Sequence, residues 1–325
     1  MNAIDVNSPS GSIPESLFAT FQMTFAIITP ALMIGAFVER IKFSAMLIFL
    51  SIWLLIVYVP VTHWVWGGGI LSSWGTMDFA GGIVVHATAG TAALVTALTL
   101  GKRRGFPKSI TPPHSPILTM IGASMLWIGW FGFNAGSALG ANGGAGMAML
   151  VTHISAATAS LVWMFIEWRR FGKPSLIGIV TGMVAGLATV TPASGYIGVP
   201  GGLVLGFFGG LFCYLAVDYI RGKLQIDDSL GVFDVHGVGV ILGTLLVAFL
   251  ATSTFSGLGL AEGQTAVSQF FVQLKAVLLT VVWTSVFTYL ILKITSFIVP
   301  LRVDEQEEIE GLDLRSFGEK GYHSD

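Results

Sequence analysis

The chain has 325 residues, 54% of them hydrophobic and only 10% charged, against roughly 25% charged in an average soluble domain. So few charges cannot cover a water-facing surface, and most of the exterior must face lipid. The net charge of −2 excludes a general basic field for nucleic acid, and the single cysteine, Cys213, excludes an intramolecular disulfide and a multi-cysteine metal site.

Apolar runs of about 20 residues, the length needed to cross a bilayer as a helix, occur nine times. They predict spans near 16–38, 44–64, 79–101, 116–138, 146–168, 175–193, 200–220, 232–252 and 268–300. The last exceeds what the bilayer needs, so it tilts or projects. The first fifteen residues are polar and carry no Lys or Arg, unlike a signal peptide, which starts basic and turns apolar at once. The expected organisation is an N-terminal tail at 1–15, a transmembrane domain at 16–300 and a polar, acidic tail at 301–325. The fold class is an all-α polytopic membrane protein with nine transmembrane helices.

Basic residues orient the spans. Arg40 and Lys42 follow the first; Lys102, Arg103, Arg104 and Lys108 the third; Arg169, Arg170 and Lys173 the fifth; Arg221 and Lys223 the seventh. Together these are 11 of the 16 Lys and Arg residues. The alternate connections have none, so the positive-inside rule puts the N-terminus outside and the C-terminal tail in the cytoplasm. Glycines at four-residue spacing (Gly132 and Gly136; Gly182 and Gly186; Gly202, Gly206 and Gly210) predict close helix packing.

The chain lacks the P-loop, HExxH, GxSxG and strand-linked GxGxxG patterns. No enzyme activity, catalytic residue, cofactor or metal is therefore expected. What remain are polar residues inside apolar spans, where an ionisable side chain is a functional candidate by default. His86 lies eight residues beyond Asp78, about 12 Å into the third span, and His236 lies about 6–12 Å into the eighth, which runs the opposite way. In a core of about 30 Å their rings are within about 6–12 Å vertically. They meet near the midplane, or each bonds a separate neighbour. His153, between Thr152 and Ser155, reads as structural. A second group gathers at the outer face: Phe21 and Phe25, Trp66, then Phe133 and Ser137. Aromatic faces attract cations and a serine hydroxyl accepts a hydrogen bond, although aromatics at an interface also form anchoring belts. Asp78 and Asp234 each open a histidine-bearing span, where capping of free N–H groups and substrate contact are both open.

Taken together, FQMTFAIITPALMIGAFVERIKFSA, WVWGGGIL, DFAGGIVVHATAG, IGWFGFNAGSA, GKPSLIGIVTGMVAGLATVTPASGYIG, VFDVHGVGVILG and the tail motif GLDLRSFGEKGY resemble the ammonium transporter (Amt/Rh) family, bacterial type. The resemblance covers nearly everything after residue 11. It implies an inverted-repeat bundle shortened by the first two of the family's eleven helices, assembled as a homotrimer with a pore in each subunit. The implied recruitment site is Phe25, Trp66 and Ser137, with Phe21 nearby. Phe25 and Phe133 match the pore gate, His86 and His236 the paired pore histidines, and Asp78 a residue supporting the site. A PII-type signalling protein on the cytoplasmic face is the implied partner, and the cell inner (plasma) membrane the location.

The function expected is passage of ammonium, recruited as NH4+ and conducted as NH3 with or without separate proton relay. The alternative is an ammonium sensor with impaired conduction. An intramembrane hydrolase using either histidine as base lacks a nucleophile partner.

Overall fold

The computed structural model describes residues 9–109 and 112–321. Its long helices are named here together with the irregular turns that continue them: α1 (Glu15–Ala36), α2 (Phe43–Ser73), α3 (Gly82–Leu100), α4 (Pro116–Gly136), α5 (Gly143–Phe171), α6 (Leu176–Val190), α7 (Val199–Lys223), α8 (Phe233–Leu250) and α9 (Ala266–Ile298). Eight of these nine are long and apolar enough to cross a membrane. The exception is the sixth expected span, where α6 has only 15 residues, about 22 Å at 1.5 Å per residue. Pro192 accounts for the early stop, because it lacks an N–H and restricts the residue before it. Turns then carry the buried chain onward over 191–194.

Helix starts follow local chemistry. Ser115 Oγ, Asn142 Oδ1 and Ser175 Oγ accept the backbone N–H three residues on at α4, α5 and α6, and Thr265 with Ser268 forms a capping box at α9. The small-residue expectation divides. On α6 and α7 the glycines do carry close packing: a Cβ at Gly206 would lie 2.6 Å from Ser155 O of α5, and one at Gly210 2.9 Å from Ala159 O. On α4 they do not. Nothing lies within 4 Å of a Cβ built at Gly132, and Gly136 meets only the Phe21 ring.

The helix α3 and the helix α8 form the interior pair, and α9 packs against both. Their entrances repeat a pattern, D-x-x-G-x-x-x-x-H, at Asp78, Gly81 and His86 and again at Asp228, Gly231 and His236. Both glycines take positive φ, +98° and +69°, which favours a residue without Cβ. Each histidine then sits in a wide π-type turn, Gly82–Ala87 or Phe233–Gly237, followed by a regular helix of 13 residues.

Segments outside the spans are ordered against the bundle. Strand β1 (Pro9–Ser10) pairs with β2 (Ile13–Pro14), so the expected N-terminal tail includes a small hairpin. Its residues 1–8 lie outside the described residues, as do 322–325 of the C-terminal tail. Within that tail, α10 (Glu305–Glu310) is followed by a turn over Asp313–Phe317. Lys42 N–H donates to Leu301 O (2.9 Å) and Val303 N–H to Arg40 O (3.0 Å), and Phe317 packs edge-on against Phe43.

Candidate functional site

The site begins at the entrance to α3. Asp78 is buried, and its carboxylate accepts four backbone N–H groups, from Gly81, Gly82, Ile83 and Val84, at 2.6–3.1 Å. These are donors that a helix start otherwise leaves unsatisfied. Capping is thus the contact that Asp78 makes, while its backbone carbonyl receives the Trp66 indole N–H at 3.0 Å. One residue therefore joins the helix carrying His86 to the cluster of rings around Trp66.

One turn further in, His86 and His236 come together. Their Nδ1 atoms are 3.2 Å apart, and their rings are nearly parallel at 13° with centroids 5.1 Å apart. Both are buried, at 1% and 7% exposure. This is closer than depth arithmetic along two separate helices suggests, because α3 and α8 approach through glycines. A Cβ at Gly90 would fall 2.5 Å from Gly237 N and 2.6 Å from its Cα. A direct Nδ1···Nδ1 hydrogen bond needs one ring to donate and the other to accept. The imidazoles then differ in tautomer, and His86 Nε2 is buried without a protein partner.

A column of rings leads to this pair. Trp66 meets Phe25 edge-on at 5.6 Å, Phe21 meets Phe25 at 4.9 Å, Phe25 lies 4.4 Å from Phe133, and Phe133 lies 5.5 Å from His86. Ser137, one turn beyond Phe133 on α4, donates its hydroxyl to Phe133 O at 2.8 Å, which leaves its oxygen able to accept. A cleft of about 1100 Å³ between α1 and α4, walled by Leu17, Phe21, Ile28, Gly129 and Phe133, reaches both histidines.

One reading needs correction. Asp234 opens the α8 span but does not cap it: both carboxylate oxygens are buried without a hydrogen-bond partner. Asp228 does that work, accepting Phe233 N–H at 2.7 Å, and the repeated spacing to the histidine was the signal for it. His153, read as structural, is exposed and packs against Trp127 and Phe131 at 5.1 and 6.0 Å, apart from the histidine pair. Trp130 was missed. It stacks on His86 at 5.2 Å and 8°, held by its indole N–H donating to Thr191 Oγ1 at 2.9 Å. No local motif marks it, since its partners come from α3 and from beyond α6. Among the described residues, no group of three or more His, Cys, Asp or Glu is placed to hold a metal ion.

Comparison with known proteins places the chain as a whole. The family model described as Ammonium Transporter Family matches residues 1–322. A putative ammonium transporter of Methanothermobacter thermautotrophicus is 48% identical over 316 residues, covering 96% of this chain and 76% of that protein. Ammonium transporter Amt1 of Archaeoglobus fulgidus is 46% identical over 311 residues, 95% of this chain and 78% of that one. Among solved structures, one named Sensor Amt Protein superposes with a TM-score of 0.88 at 29% identity, covering 97% of this chain and 80% of that chain. Mep2 of Candida albicans superposes with a TM-score of 0.84 at 36% identity, covering 94% and 70%.

Proposed function

Because the chain belongs to the ammonium transporter family, we propose that it carries ammonium across the membrane through a pathway that ends the aromatic column at the histidine pair. The observation that supports this most is the 3.2 Å contact between His86 and His236 directly behind Phe25 and Phe133. Its relatives are transporters, and the role given to these residues is passage and not catalysis.

In this reading Trp66, Phe25 and Ser137, with Phe21 alongside, recruit NH4+ through ring faces and a hydroxyl acceptor. Moving a bare cation into an apolar passage is far costlier than moving a neutral molecule. The ion gives its proton to water on the outer side, where it stays as hydronium or passes to buffer, and the neutral ammonia left behind passes the Phe25–Phe133 gate. The histidine pair, opposite in tautomer, offers ammonia one donor and one acceptor. K+ has no proton to shed and is refused. Asp78 keeps the α3 entrance and Trp66 in place.

The same proposal takes residues 16–300 as the transport unit of a homotrimer in the plasma membrane. The N-terminus is outside, and the C-terminal tail is in the cytoplasm, where a PII-type signalling protein would dock. The alternating basic connections support that orientation, and the family resemblance supports the assembly.

A second reading, an ammonium sensor that conducts poorly, draws on the likeness to the structure named Sensor Amt Protein. Uptake of labelled methylammonium into cells lacking ammonium transporters separates the two. Saturable uptake is expected, and its absence from correctly assembled protein favours the sensor. His86→Ala with His236→Ala should admit K+; an unchanged ammonium-to-K+ ratio overturns the pore reading.

A further inference from the structure

Arg40 follows α1 and is fully buried, a placement that demands acceptors for its guanidinium N–H groups. Nη2 donates to Ala36 O (2.9 Å) and Asp227 O (2.6 Å), and Nη1 to Ser229 Oγ (2.9 Å). Nη1 also lies 3.7 Å from the Asp227 carboxylate. That carboxylate is gripped from its other side by Arg103, just beyond α3. The Arg103 backbone N–H and Nε donate to Oδ2 at 2.7 and 3.0 Å, and Nη2 donates to Oδ1 at 2.9 Å.

The gripped segment leads straight into the histidine turn of α8. Asp228 caps that turn through Phe233 N–H, and Arg221 at the end of α7 donates to the carbonyls of Asp228 and Ser229. Leu230 N–H bonds Gly35 O at 2.9 Å, and a Cβ at Gly35 would meet Val232 Cγ2 at 2.8 Å. The end of the helix that carries Phe25 is thereby locked to the segment that launches His236. The end of the helix that carries His86 is tied to the same Asp227.

We propose that Arg40 is a positioning residue for the histidine pair: by holding Asp227 and Ser229 it sets where His236 stands against His86. The role suits an arginine better than a lysine, because a planar fork serves several acceptors at once where an ammonium is a single point charge. The proposal rests on the pore reading above, and its test keeps the two apart.

Ammonium and K+ fluxes are measured in liposomes holding the full chain, as wild type, Arg40→Gln, Arg40→Lys, Ser229→Ala, His236→Ala and the Arg40→Gln, His236→Ala double variant. Arg40→Gln is expected to lower the ammonium-to-K+ ratio about tenfold, on the scale of losing a charge-assisted hydrogen bond. The shift should run in the same direction as His236→Ala and add little to it in the double variant. Arg40→Lys should recover part of the ratio. Ser229→Ala, which leaves the charge pair intact, should give a smaller shift, and it decides the matter if Arg40→Gln does not assemble. A wild-type ratio in Arg40→Gln and Ser229→Ala, or equal loss of both fluxes at an unchanged ratio, overturns the proposal. A wild-type ratio in His236→Ala overturns the pore reading instead.

Discussion

Gly90 of α3 and Gly237 of α8 meet backbone to backbone, and this contact brings two histidines 150 residues apart into hydrogen-bond range. An added Cβ on Gly90 would sit 2.5 Å from Gly237 N, closer than nonbonded atoms tolerate. The separation of the rings is therefore set by the absence of side chains one turn away, as well as by the rings themselves.

Substitution at that point should act as overpacking. Gly90→Ala forces α3 and α8 apart and should cost about 1–3 kcal/mol, with Gly90→Val worse. Thermal unfolding in detergent reads the loss. A melting temperature equal to wild type would show that the helix pair yields more easily than its packing implies.

The Trp130 ring should depend on Thr191. Thr191→Val keeps the shape but leaves the indole N–H without its acceptor, at about 1–3 kcal/mol for an unsatisfied buried donor. Thr191→Ser should recover most of that loss. Indole fluorescence should report a more mobile ring in the valine variant, and an unchanged spectrum and stability would argue against the anchor.

Trp66 tests the recruitment step. A cation–π contact worth about 0.5–2 kcal/mol corresponds to roughly a two- to thirtyfold rise in KM for methylammonium in Trp66→Leu. Trp66→Phe retains a ring face but loses the bond to Asp78 O, so it should keep more of the affinity than leucine does. Equal KM values for both variants would assign the effect to the lost hydrogen bond.

The Asp227 clamp should show in the acid limb of stability. Burial by itself pushes this carboxyl up, but hydrogen bonds from Arg103, with the charges of Arg103 and Arg40, outweigh it and hold Asp227 below the usual carboxylate range. A depressed folded value contributes stability that is complete above the ordinary value near 4 and disappears as pH falls through the folded one. The gap in melting temperature between wild type and Asp227→Asn should be widest near neutrality and close below about pH 4. A gap that is constant with pH would mean that the carboxylate charge is not what stabilises the loop.

Much of the architecture was legible beforehand. The apolar runs located every long helix, but the run at 175–193 read as a full span, whereas α6 stops at Val190, two residues before Pro192. The site was legible in part. The polar exceptions His86, His236 and Asp78 stood out against their apolar surroundings, and D-x-x-G-x-x-x-x-H was present twice. Asp234 was a capping candidate because it lies nearer the start of the apolar run, whereas the π-type turn and Gly231 place Asp228 at the free N–H groups. Gly132 looked like a packing residue by spacing and instead faces an open cleft, because spacing records which face a glycine is on and not what stands opposite.

From the sequence alone came the membrane class, the order of the crossings and the expected alternation of their ends, since a bilayer imposes a length and a charge asymmetry that are written locally along the chain. Only the tertiary structure decided which polar groups converge: His86 with His236, Trp130 with both His86 and Thr191, and Arg40 with Asp227. Those partners are separated by 44 to 187 residues, and what joins them is the close approach of helix backbones, a property of pairs of surfaces that no single stretch of sequence carries.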